Sequence, residues 1–345
     1  MLRRKVKVLI VEDSALYREY LKRVIESDAM LTVAGTAGTA AETLRLTGRL
    51  KPDVITLDLG LPDVQKFELL SELVRAYSVP IIVVSALPET CEEALMAGAR
   101  DYIEKIQAND ARSADQFELL LRLKIKTQAN TAAERPRAPL RSVARTDSPT
   151  GCGRERLIVM GASLGGTEVI MSIMRQLPVN MPGIVIVQHM PQSFTKAYAI
   201  RLNQYSAMTV REAADNEPAL PGTALVAPGG RQLTVIKSGS GYRVRLGDSE
   251  KRGGFCPSVD VLFHSAAAAA GRSAVGVILT GMGRDGAEGI KEMRDVGAYT
   301  IGQSRTSCAV FGMPAAAESL GGLDSMLNPD EIVKELIRVT EGHKG

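Results

Sequence analysis

Short aliphatic runs alternate with amphipathic stretches over the first 125 residues. The runs have the length of buried strands, and the stretches between them repeat apolar residues at helical spacing. A repeated strand–helix pattern predicts a parallel sheet covered by helices on both faces. The predicted strands are Lys7–Val11, Thr32–Gly35, Val54–Leu57, Ile81–Val84 and Asp101–Ile103, and a last helix runs through FELLLRLKIK.

The pattern then breaks. Residues 127–156 contain three Pro and six Arg and almost no periodic apolar positions. Such a segment cannot bury enough surface to offset its ordering entropy. We therefore predict a flexible basic linker over residues 127–154, between a domain at 1–126 and a second at 155–345. A docking patch is an alternative reading of the same charges.

A second strand–helix pattern follows the linker. Its predicted strands are Arg156–Met160, Gly183–Gln188, Ala224–Ala227 and Ala274–Thr280. Helices are expected after GASLGG and through VDVLFHSAAAAAG. LTVIKSGSGYRVRL alternates on both sides of a Gly/Ser turn, which predicts a β-hairpin. The fold class is thus α/β in both halves: a flavodoxin-like first domain, then a doubly wound, mostly parallel domain with a hairpin.

Composition narrows the class of protein. The net charge of +3 is too small to indicate nucleic-acid binding by itself. Four separated Cys and three His favour neither a disulfide framework nor a structural zinc site. No apolar stretch approaches the roughly 20 residues that span a bilayer, and the first apolar run ends at Glu12, unlike a signal peptide. We expect a cytoplasmic protein.

Polar residues follow several predicted strands of the first half. Glu12 and Asp13 follow the first strand, and Asp58 ends the third. The carboxyl ends of parallel strands share one edge, where ligands gather, so three acids there suit Mg²⁺. A cation beside Asp58 would let its carboxylate attack a phosphoryl group, and Ser85 and Lys105 could bind the phosphoryl oxygens. Taken singly, each acid would be a turn or helix-capping residue.

Residues 5–125 resemble a response-regulator receiver domain. The match covers the acidic pair Glu12 and Asp13, the phosphoacceptor Asp58, the hydroxyl residue Ser85, the switch aromatic Tyr102 and the lysine Lys105. The resemblance implies phosphorylation of Asp58 by a histidine kinase in a two-component system. It also implies bound Mg²⁺, with the backbone carbonyl of Gly60 completing the metal shell.

The first half departs from the family pattern at two places. Gln65-Lys66 stands where the family usually has Asp-Gly, and Ile106 stands where a Pro in a cis bond usually follows the lysine. A cis bond before a residue other than proline costs about 3 kcal/mol. We therefore expect a trans peptide bond before Ile106 and an altered position of Lys105.

The segment LIVMGASLGGTEVI reads as a strand, a Gly-rich turn and a helix. Gly161-x-Ser163-x-Gly165 has the spacing of a nucleophile elbow, and the following helix N-terminus favours an oxyanion. A Gly-rich turn of this type is also typical of a phosphate cradle or of plain packing. The full G-x-G-x-x-G pattern and a following GK[ST] are both missing, which disfavours the nucleotide reading.

A serine nucleophile needs a base and an orienting acid. His343 lies in the terminal tail, and His264 lies in a predicted helix, where a structural role is expected. His189 ends an apolar strand, and Asp285 lies in a Gly-rich turn just past another. Three strands therefore bring Ser163, His189 and Asp285 to one edge, where backbone N–H groups of the Gly281–Gly286 turn could face the reacting carbonyl.

Residues 155–340 resemble the catalytic domain of chemotaxis protein-glutamate methylesterases. GAS-x-GG, QHMP, PSVDVLF, LTGMG-x-DGA-x-G and FGMP occur in the family's order. The resemblance implies Ser163 as nucleophile, His189 as general base, Asp285 as orienter and the Met282 N–H in the oxyanion hole. It implies hydrolysis of glutamate methyl esters on chemoreceptors, with no cofactor for that step, and deamidation of Gln in many members.

Other departures concern this second half. Leu164 replaces a frequent Thr thought to help hold the catalytic His, Cys256 replaces a basic residue, and Ser304 and Arg305 replace acidic ones. Because the triad residues are present, hydrolysis is expected and the substrate contacts are expected to differ. A non-catalytic adaptor that binds receptor helices is the alternative. A transcription factor is disfavoured, since no compact helix-turn-helix or basic recognition helix is apparent.

Control is expected to come from the receiver. We predict that the unphosphorylated receiver packs over the Ser163 edge, and that phosphorylation of Asp58 weakens this interface through Ser85 and Tyr102. The expected partners are methyl-accepting chemoreceptors and a histidine kinase, without nucleic acid, and membrane association would occur only through the receptors.

Overall fold

The computed structural model describes residues 4–65, 67–87, 90–105, 111–131 and 156–341. The chain divides into two compact units, Met1–Pro136 and Arg137–Gly345. The predicted departures at Lys66 and Ile106, the terminal His343 and most of the predicted linker lie outside the described residues. The boundaries at 126/127 and 154/155 stay predictions. The helix before the linker continues to Thr131, into residues assigned to the linker.

The first unit is a five-stranded parallel sheet with helices between its strands. The strand order is β2-β1-β3-β4-β5, the order of the flavodoxin-like fold. Its strands are β1 (Val6–Val11), β2 (Leu31–Ala37), β3 (Val54–Leu57), β4 (Ile81–Ser85) and β5 (Asp101–Glu104). Its helices are α1 (Ala15–Glu26), α2 (Ala40–Leu50), α3 (Glu68–Ala76), α4 (Cys91–Met96) and α5 (Ala111–Thr131).

Local sequence explains where the first helices start. Ser14 and Thr39 have extended backbones, and their hydroxyls accept hydrogen bonds from Tyr17 N–H and Glu42 N–H. Such N-caps satisfy helix donors that have no partner within the helix. The central strands β1, β3 and β4 are buried along nearly their whole length, as expected for a sheet covered on both faces. The polar residues that follow these strands therefore lie at one edge.

The second unit contains a seven-stranded parallel sheet and a separate hairpin. The sheet strands are β6 (Leu157–Ala162), β7 (Gly183–Gln188), β8 (Thr209–Glu212), β9 (Thr223–Val226), β12 (Ala274–Ile278), β13 (Tyr299–Gln303) and β14 (Ser325–Leu327). The hairpin pairs β10 (Leu233–Ser238) with β11 (Gly241–Leu246). The helices are α6 (Gly166–Gln176), α7 (Gln192–Tyr205), α8 (Val259–Ala270), α9 (Ala287–Asp295), α10 (Met313–Ser319) and α11 (Pro329–Glu341).

Strand order in this sheet places a crevice beside β6. The order is β14-β13-β12-β6-β7-β9-β8, so the chain moves outward from β6 in one direction and later in the other. Ligands of open α/β sheets bind at such a switch point, beyond the carboxyl ends of the strands. Aliphatic cores lie on the two faces of the sheet. They hold the ends of β6, β7 and β12 in fixed register.

The predicted α/β class is confirmed, including the hairpin with its Gly239-Ser240 turn. The ends of the predicted strands lie within two residues of the observed ends. The strands β8, β13 and β14 were missed. Among the described residues, no helix has the length and apolar character needed to cross a membrane.

Candidate functional sites

Three carboxylates meet at the strand ends of the first unit. Glu12, Asp13 and Asp58 each offer an oxygen within 4.8 Å of the others. Glu12 and Asp58 are buried, whereas Asp13 is exposed. Lys105 Nζ lies 2.7 Å from Asp58 Oδ2 and 2.8 Å from Glu12 Oε2. Because carboxylate oxygens are the donors that Mg²⁺ prefers, this set fits a hard divalent cation.

Burial and charge set the protonation behaviour of this pocket. Burial raises the pKa of Glu12, and the nearby Asp58 charge adds to the effect, against the opposing contact with Lys105. Burial alone would lower the pKa of Lys105, but its hydrogen bonds to Asp58 and Glu12 outweigh that effect and raise it. Lys105 therefore stays charged and bridges the two buried acids.

The other residues predicted for the receiver contact Asp58 itself or the loop that follows β4. Gly60 N–H donates to Asp58 Oδ1 at 3.1 Å. Ser85 ends β4, and its hydroxyl accepts from Leu87 N–H at 3.2 Å. Tyr102 is buried, and its hydroxyl donates to Leu87 O at 2.8 Å. The aromatic side chain thus points inward and is tied to the loop that follows Ser85.

Ser163 lies in a tight turn between β6 and α6. Gly165 has φ of 80°, a conformation suited to glycine, and a Cβ there would lie 2.6 Å from Ala309 Cβ. A Cβ on Gly161 would lie 2.1 Å from Val259 Cγ1. The glycines of the predicted elbow are thus required by backbone conformation and close packing. Ser163 Oγ makes no hydrogen bond with the residues that the structure describes.

His189 follows the neighbouring strand. The register pairs Ala162 with Gln188 at the ends of β6 and β7, and His189 N–H donates to Ala162 O at 3.1 Å. The next residues, Ser163 and His189, are therefore neighbours at the sheet edge. Buried Gln188 reinforces this placement, since its Nε2 donates to Ser163 O at 2.8 Å and to His189 O at 3.1 Å.

Asp285 follows β12 and contacts His189 directly. Asp285 Oδ2 lies 2.7 Å from His189 Nε2. The opposite ring nitrogen, Nδ1, is buried and has no hydrogen-bond partner in the described part of the chain. With Nε2 donating its proton to the carboxylate, Nδ1 carries the lone pair. The structure therefore joins His189 to Asp285 and leaves the expected Ser163–His189 hydrogen bond unmade.

The first turn of α8 surrounds Asp285 with donors. Ser258 Oγ and Asp260 N–H donate to Oδ1 at 2.7 and 3.0 Å, and Val259 N–H donates to Oδ2 at 2.7 Å. Burial alone would raise the pKa of Asp285, but the hydrogen bonds from His189 and from this turn outweigh it and lower it. The helix dipole has the same sign of effect. Asp285 is thus a fixed anion at a helix N-terminus.

Met282 lies in the turn between β12 and Asp285. Met282 is 54% exposed, and its backbone N–H donates no hydrogen bond within the described ranges. Its neighbour Gly281 is tied down, because Gly281 N–H donates to Val310 O and Gly281 O accepts from Met313 N–H. The turn therefore holds a free N–H donor four residues past the last paired residue of β12, Ile278, on the segment that leads to Asp285.

The residues that depart from the family pattern have other contacts. Leu164 has no side-chain hydroxyl, and its carbonyl accepts from Thr280 Oγ1 at 3.0 Å. Cys256 Sγ lies 3.9 Å from Asp248 O. The Arg305 guanidinium lies 4.6 Å from the centre of the Phe311 ring. His264, expected to be structural, pairs with Glu292 between α8 and α9.

Sequence reasoning missed several residues around the His189–Asp285 pair. Phe255 stacks on the His189 ring, with 3.9 Å between centroids and 8° between planes. Ser258 holds Asp285, and Gln188 ties two backbones together. The PSVD segment carried a usable signal, because a Ser before an apolar helical run is typical of an N-cap. Its partner across 27 residues of sequence, Asp285, was not visible in that pattern.

The fold and the two sites define a class of protein: a receiver-type unit joined to a second α/β unit with a His–Asp pair at its switch point. Family models match both units, the response regulator receiver domain at residues 8–113 and CheB methylesterase at residues 158–336. The chain belongs to the CheB methylesterase family.

Similar proteins match over nearly the full length. A protein-glutamate methylesterase/protein-glutamine glutaminase of Syntrophotalea carbinolica is 39% identical over 97% of both chains. A protein of that name from Syntrophomonas wolfei is 42% identical over 93% of this chain and 94% of its own. The crystal structure of the Thermotoga maritima CheB methylesterase catalytic domain is 37% identical, with a TM-score of 0.52, and covers 53% of this chain and 98% of its own.

Proposed function

We propose that this chain is a phosphorylation-activated protein-glutamate methylesterase of a chemosensory two-component system. Its substrates would be glutamate methyl esters on chemoreceptors, and its phosphodonor would be a histidine kinase. The observation that carries the proposal is the buried His189–Asp285 hydrogen bond of 2.7 Å beside Ser163. An adaptor without catalysis has no need of a lone pair held at a buried ring nitrogen.

In the proposed reaction, Ser163 Oγ attacks the ester carbonyl while His189 Nδ1 accepts its proton. The developing oxyanion accepts from the Met282 N–H. Collapse of the intermediate expels methoxide, which takes the proton from His189 and leaves as methanol, and an acyl-enzyme remains. Water then attacks the acyl carbon while His189 accepts a proton from it. As the acyl bond to Ser163 breaks, His189 returns that proton to Ser163 Oγ, and the glutamate leaves and ionises to its carboxylate.

The same groups would deamidate a receptor glutamine. An amide carbonyl accepts the Ser163 attack in the same way, and His189 protonates the leaving nitrogen so that ammonia departs. The acyl-enzyme is identical in the two reactions. The names of the relatives, which include glutaminase, support this second activity on the same site.

In the receiver, Asp58 is the proposed phosphoacceptor. Glu12, Asp13, Asp58 and the Gly60 carbonyl would hold Mg²⁺, which neutralises charge on the incoming phosphoryl group. Lys105 and Ser85 would contact the phosphoryl oxygens. Because Lys105 now bridges Asp58 and Glu12, phosphorylation must rearrange that contact, and Ser85 and the buried Tyr102 would transmit the change.

The proposal is tested with the full chain and methyl-labelled receptor membranes, with and without a small phosphodonor. The unchanged protein should release methanol faster with the phosphodonor. Asp58→Asn should keep the basal rate and lose the increase. Ser163→Ala should lower kcat by roughly 10⁶-fold. Appreciable methanol release by Ser163→Ala would refute Ser163 as the nucleophile.

A further inference from the structure

The His189 ring makes two directional contacts with the described residues, a hydrogen bond and an aromatic stack. Ser163 Oγ provides no hydrogen bond, and Nδ1 has no partner within the part of the chain that the structure describes. The ring contacts recorded there are the Nε2 bond to Asp285 and the stack on Phe255. With Leu164 after the nucleophile, that position has no hydroxyl to hold the imidazole.

One hydrogen bond does not fix an imidazole plane. The bond from Nε2 to Asp285 sets the direction of one ring edge, and the ring can still tilt about that bond. A flat stack with 3.9 Å between centroids and 8° between planes removes this remaining freedom. The two contacts together determine where the Nδ1 lone pair points.

The segment that carries Phe255 is built as a tight turn. Arg252 N–H donates to Phe255 O at 2.9 Å, and Phe255 N–H donates to Arg252 O at 3.0 Å. The two residues between them, Gly253 and Gly254, have φ of 58° and 93°. Positive φ at both central positions is typical of the type I′ turn, for which glycine is suited. Phe255 therefore follows a two-residue turn closed by a pair of backbone hydrogen bonds.

Buried Gln232 links this turn to Ser258, the residue that supports Asp285. Its Nε2 donates to Phe255 O at 3.0 Å and to Glu250 O at 2.8 Å. Its Oε1 accepts from Ser258 N–H at 2.9 Å, and Ser258 is the residue whose hydroxyl holds Asp285. One side-chain amide thus fixes the stacking ring and the support of the orienting carboxylate in a common frame.

We propose that Phe255 is a positioning residue that holds the His189 ring so that Nδ1 faces Ser163, and that Gln232 keeps Phe255 in place. This inference rests on the proposed Ser163–His189–Asp285 hydrolysis. Phe255 acts through His189 and not through substrate. Its removal should therefore slow proton transfer at Ser163 and leave receptor binding intact.

Two variants of the full chain, activated by a phosphodonor, separate these effects. Phe255→Leu keeps an apolar side chain of similar reach and removes the flat ring, whereas Phe255→Tyr keeps the ring. Phe255→Leu should lower kcat by about three- to tenfold with KM within about twofold, and Phe255→Tyr should stay close to the unchanged protein.

A small fluorophosphonate that labels Ser163 gives the second readout, because it needs the activated serine and none of the receptor contacts. The labelling rate of Phe255→Leu should fall by the same factor as kcat. Gln232→Met, which removes all three hydrogen bonds of the amide, should lower both rates in the same direction. Urea unfolding of each variant shows whether the domain remains folded.

Three results would overturn the proposal: full activity of Phe255→Leu, a rise in KM with unchanged kcat and labelling, or equal losses in Phe255→Leu and Phe255→Tyr. The second result would make Phe255 a substrate contact, and the third would make it a packing residue. Methanol release by Ser163→Ala is measured in the same assay. If Ser163→Ala still released methanol, the proposed function would fail, and this outcome is distinct from a failure at Phe255 alone.

Discussion

Asp58 and Asp285 occupy the same topological position in their two units, just past the carboxyl end of a central parallel strand, and both are buried. Their side chains are 8% and 3% exposed, so burial does not distinguish them. Their partners do. Asp58 contacts the Lys105 ammonium and one backbone N–H, whereas Asp285 accepts from Ser258, from two N–H groups of α8 and from His189.

This difference determines the chemistry that each carboxylate can perform. The Lys105 ammonium lies at the end of a flexible side chain. Its contact with Asp58 can therefore rearrange and free a carboxylate oxygen to attack phosphorus. Two of the donors to Asp285 are backbone N–H groups in the first turn of α8, and they cannot move without unwinding it. The same sheet edge thus yields a reactive acid where few fixed donors converge, and an orienting acid where a helix N-terminus supplies them.

Asp285→Asn tests the role of Asp285 as an orienting acid, and its effect on activity should be the largest. An amide presents an NH₂ group to a site built from donors, and it favours the wrong tautomer of His189. We expect kcat for methanol release to fall by about 10⁴, as expected when a triad acid becomes an amide. Rates are measured with the full chain, a phosphodonor and methyl-labelled receptors.

The matched control is Asp260→Asn. Asp260 lies in the same turn of α8, and its carboxylate accepts from Gly289 N–H at 2.7 Å without contacting His189. Its backbone N–H, which donates to Asp285, remains in the variant. A loss of less than about tenfold is expected. Comparable losses in both variants would point to damage to the helix start and not to the His189 contact.

Ser258→Ala should weaken the same anion without removing it. The hydroxyl donates to Asp285 Oδ1 at 2.7 Å and also caps α8 through Val261 N–H. A hydrogen bond to a charged group contributes about 1.5–3 kcal/mol, so kcat should fall by roughly ten- to a hundredfold. The melting temperature should also fall, because the N-cap is lost.

Ser258→Thr keeps a hydroxyl at this position and serves as the control for Ser258→Ala. Activity close to that of the unchanged protein is expected, measured by the same methanol assay. If the threonine variant lost as much activity as the alanine variant, the hydroxyl would not be what supports Asp285.

The sequence predicts the parts of this molecule that depend on local patterns. The strands that carry Asp58, Ser163, His189 and Asp285 are continuous apolar runs, so their ends, and the polar residues just beyond them, could be located. β14 has three half-buried residues and leaves no such pattern. β8 has four residues, of which one is buried.

The supports of the site were out of reach for a different reason. Ser258, Gln232 and Phe255 act on residues far away in sequence, and their roles follow from packing of the hairpin and α8 against the sheet. An N-cap serine can be predicted from its neighbours, but the carboxylate that its hydroxyl also contacts cannot. A resemblance to a family supplies the triad and leaves these contacts unassigned.

The smallest expected effect is on the folding stability of the receiver. Ionisation of Glu12 lowers the stability of its unit, whereas ionisation of Asp285 raises the stability of its own. The pKa of buried Glu12 is raised, so ionised Glu12 costs folding free energy once the pH exceeds its ordinary value of 4.5. The stability that protonated Glu12 contributes is fully present below pH 4.5 and is lost as the pH rises through the folded pKa. Asp285, whose pKa is lowered, stabilises the fold above its unfolded pKa and loses this effect only in acid.

Glu12→Gln should therefore raise the free energy of unfolding of the receiver at pH 7 and change it little at pH 4.5. Lys105 retains Asp58 as its partner at 2.7 Å. Pulse proteolysis of the full chain in urea, with receiver peptides identified by mass spectrometry, measures this difference. Asp13→Asn, at an exposed acid of the same cluster, is the control and should be close to neutral. A lower stability of Glu12→Gln at pH 7 would mean that the Glu12–Lys105 attraction exceeds the cost of burial, and both carboxylates would then stabilise their units in the ionised form.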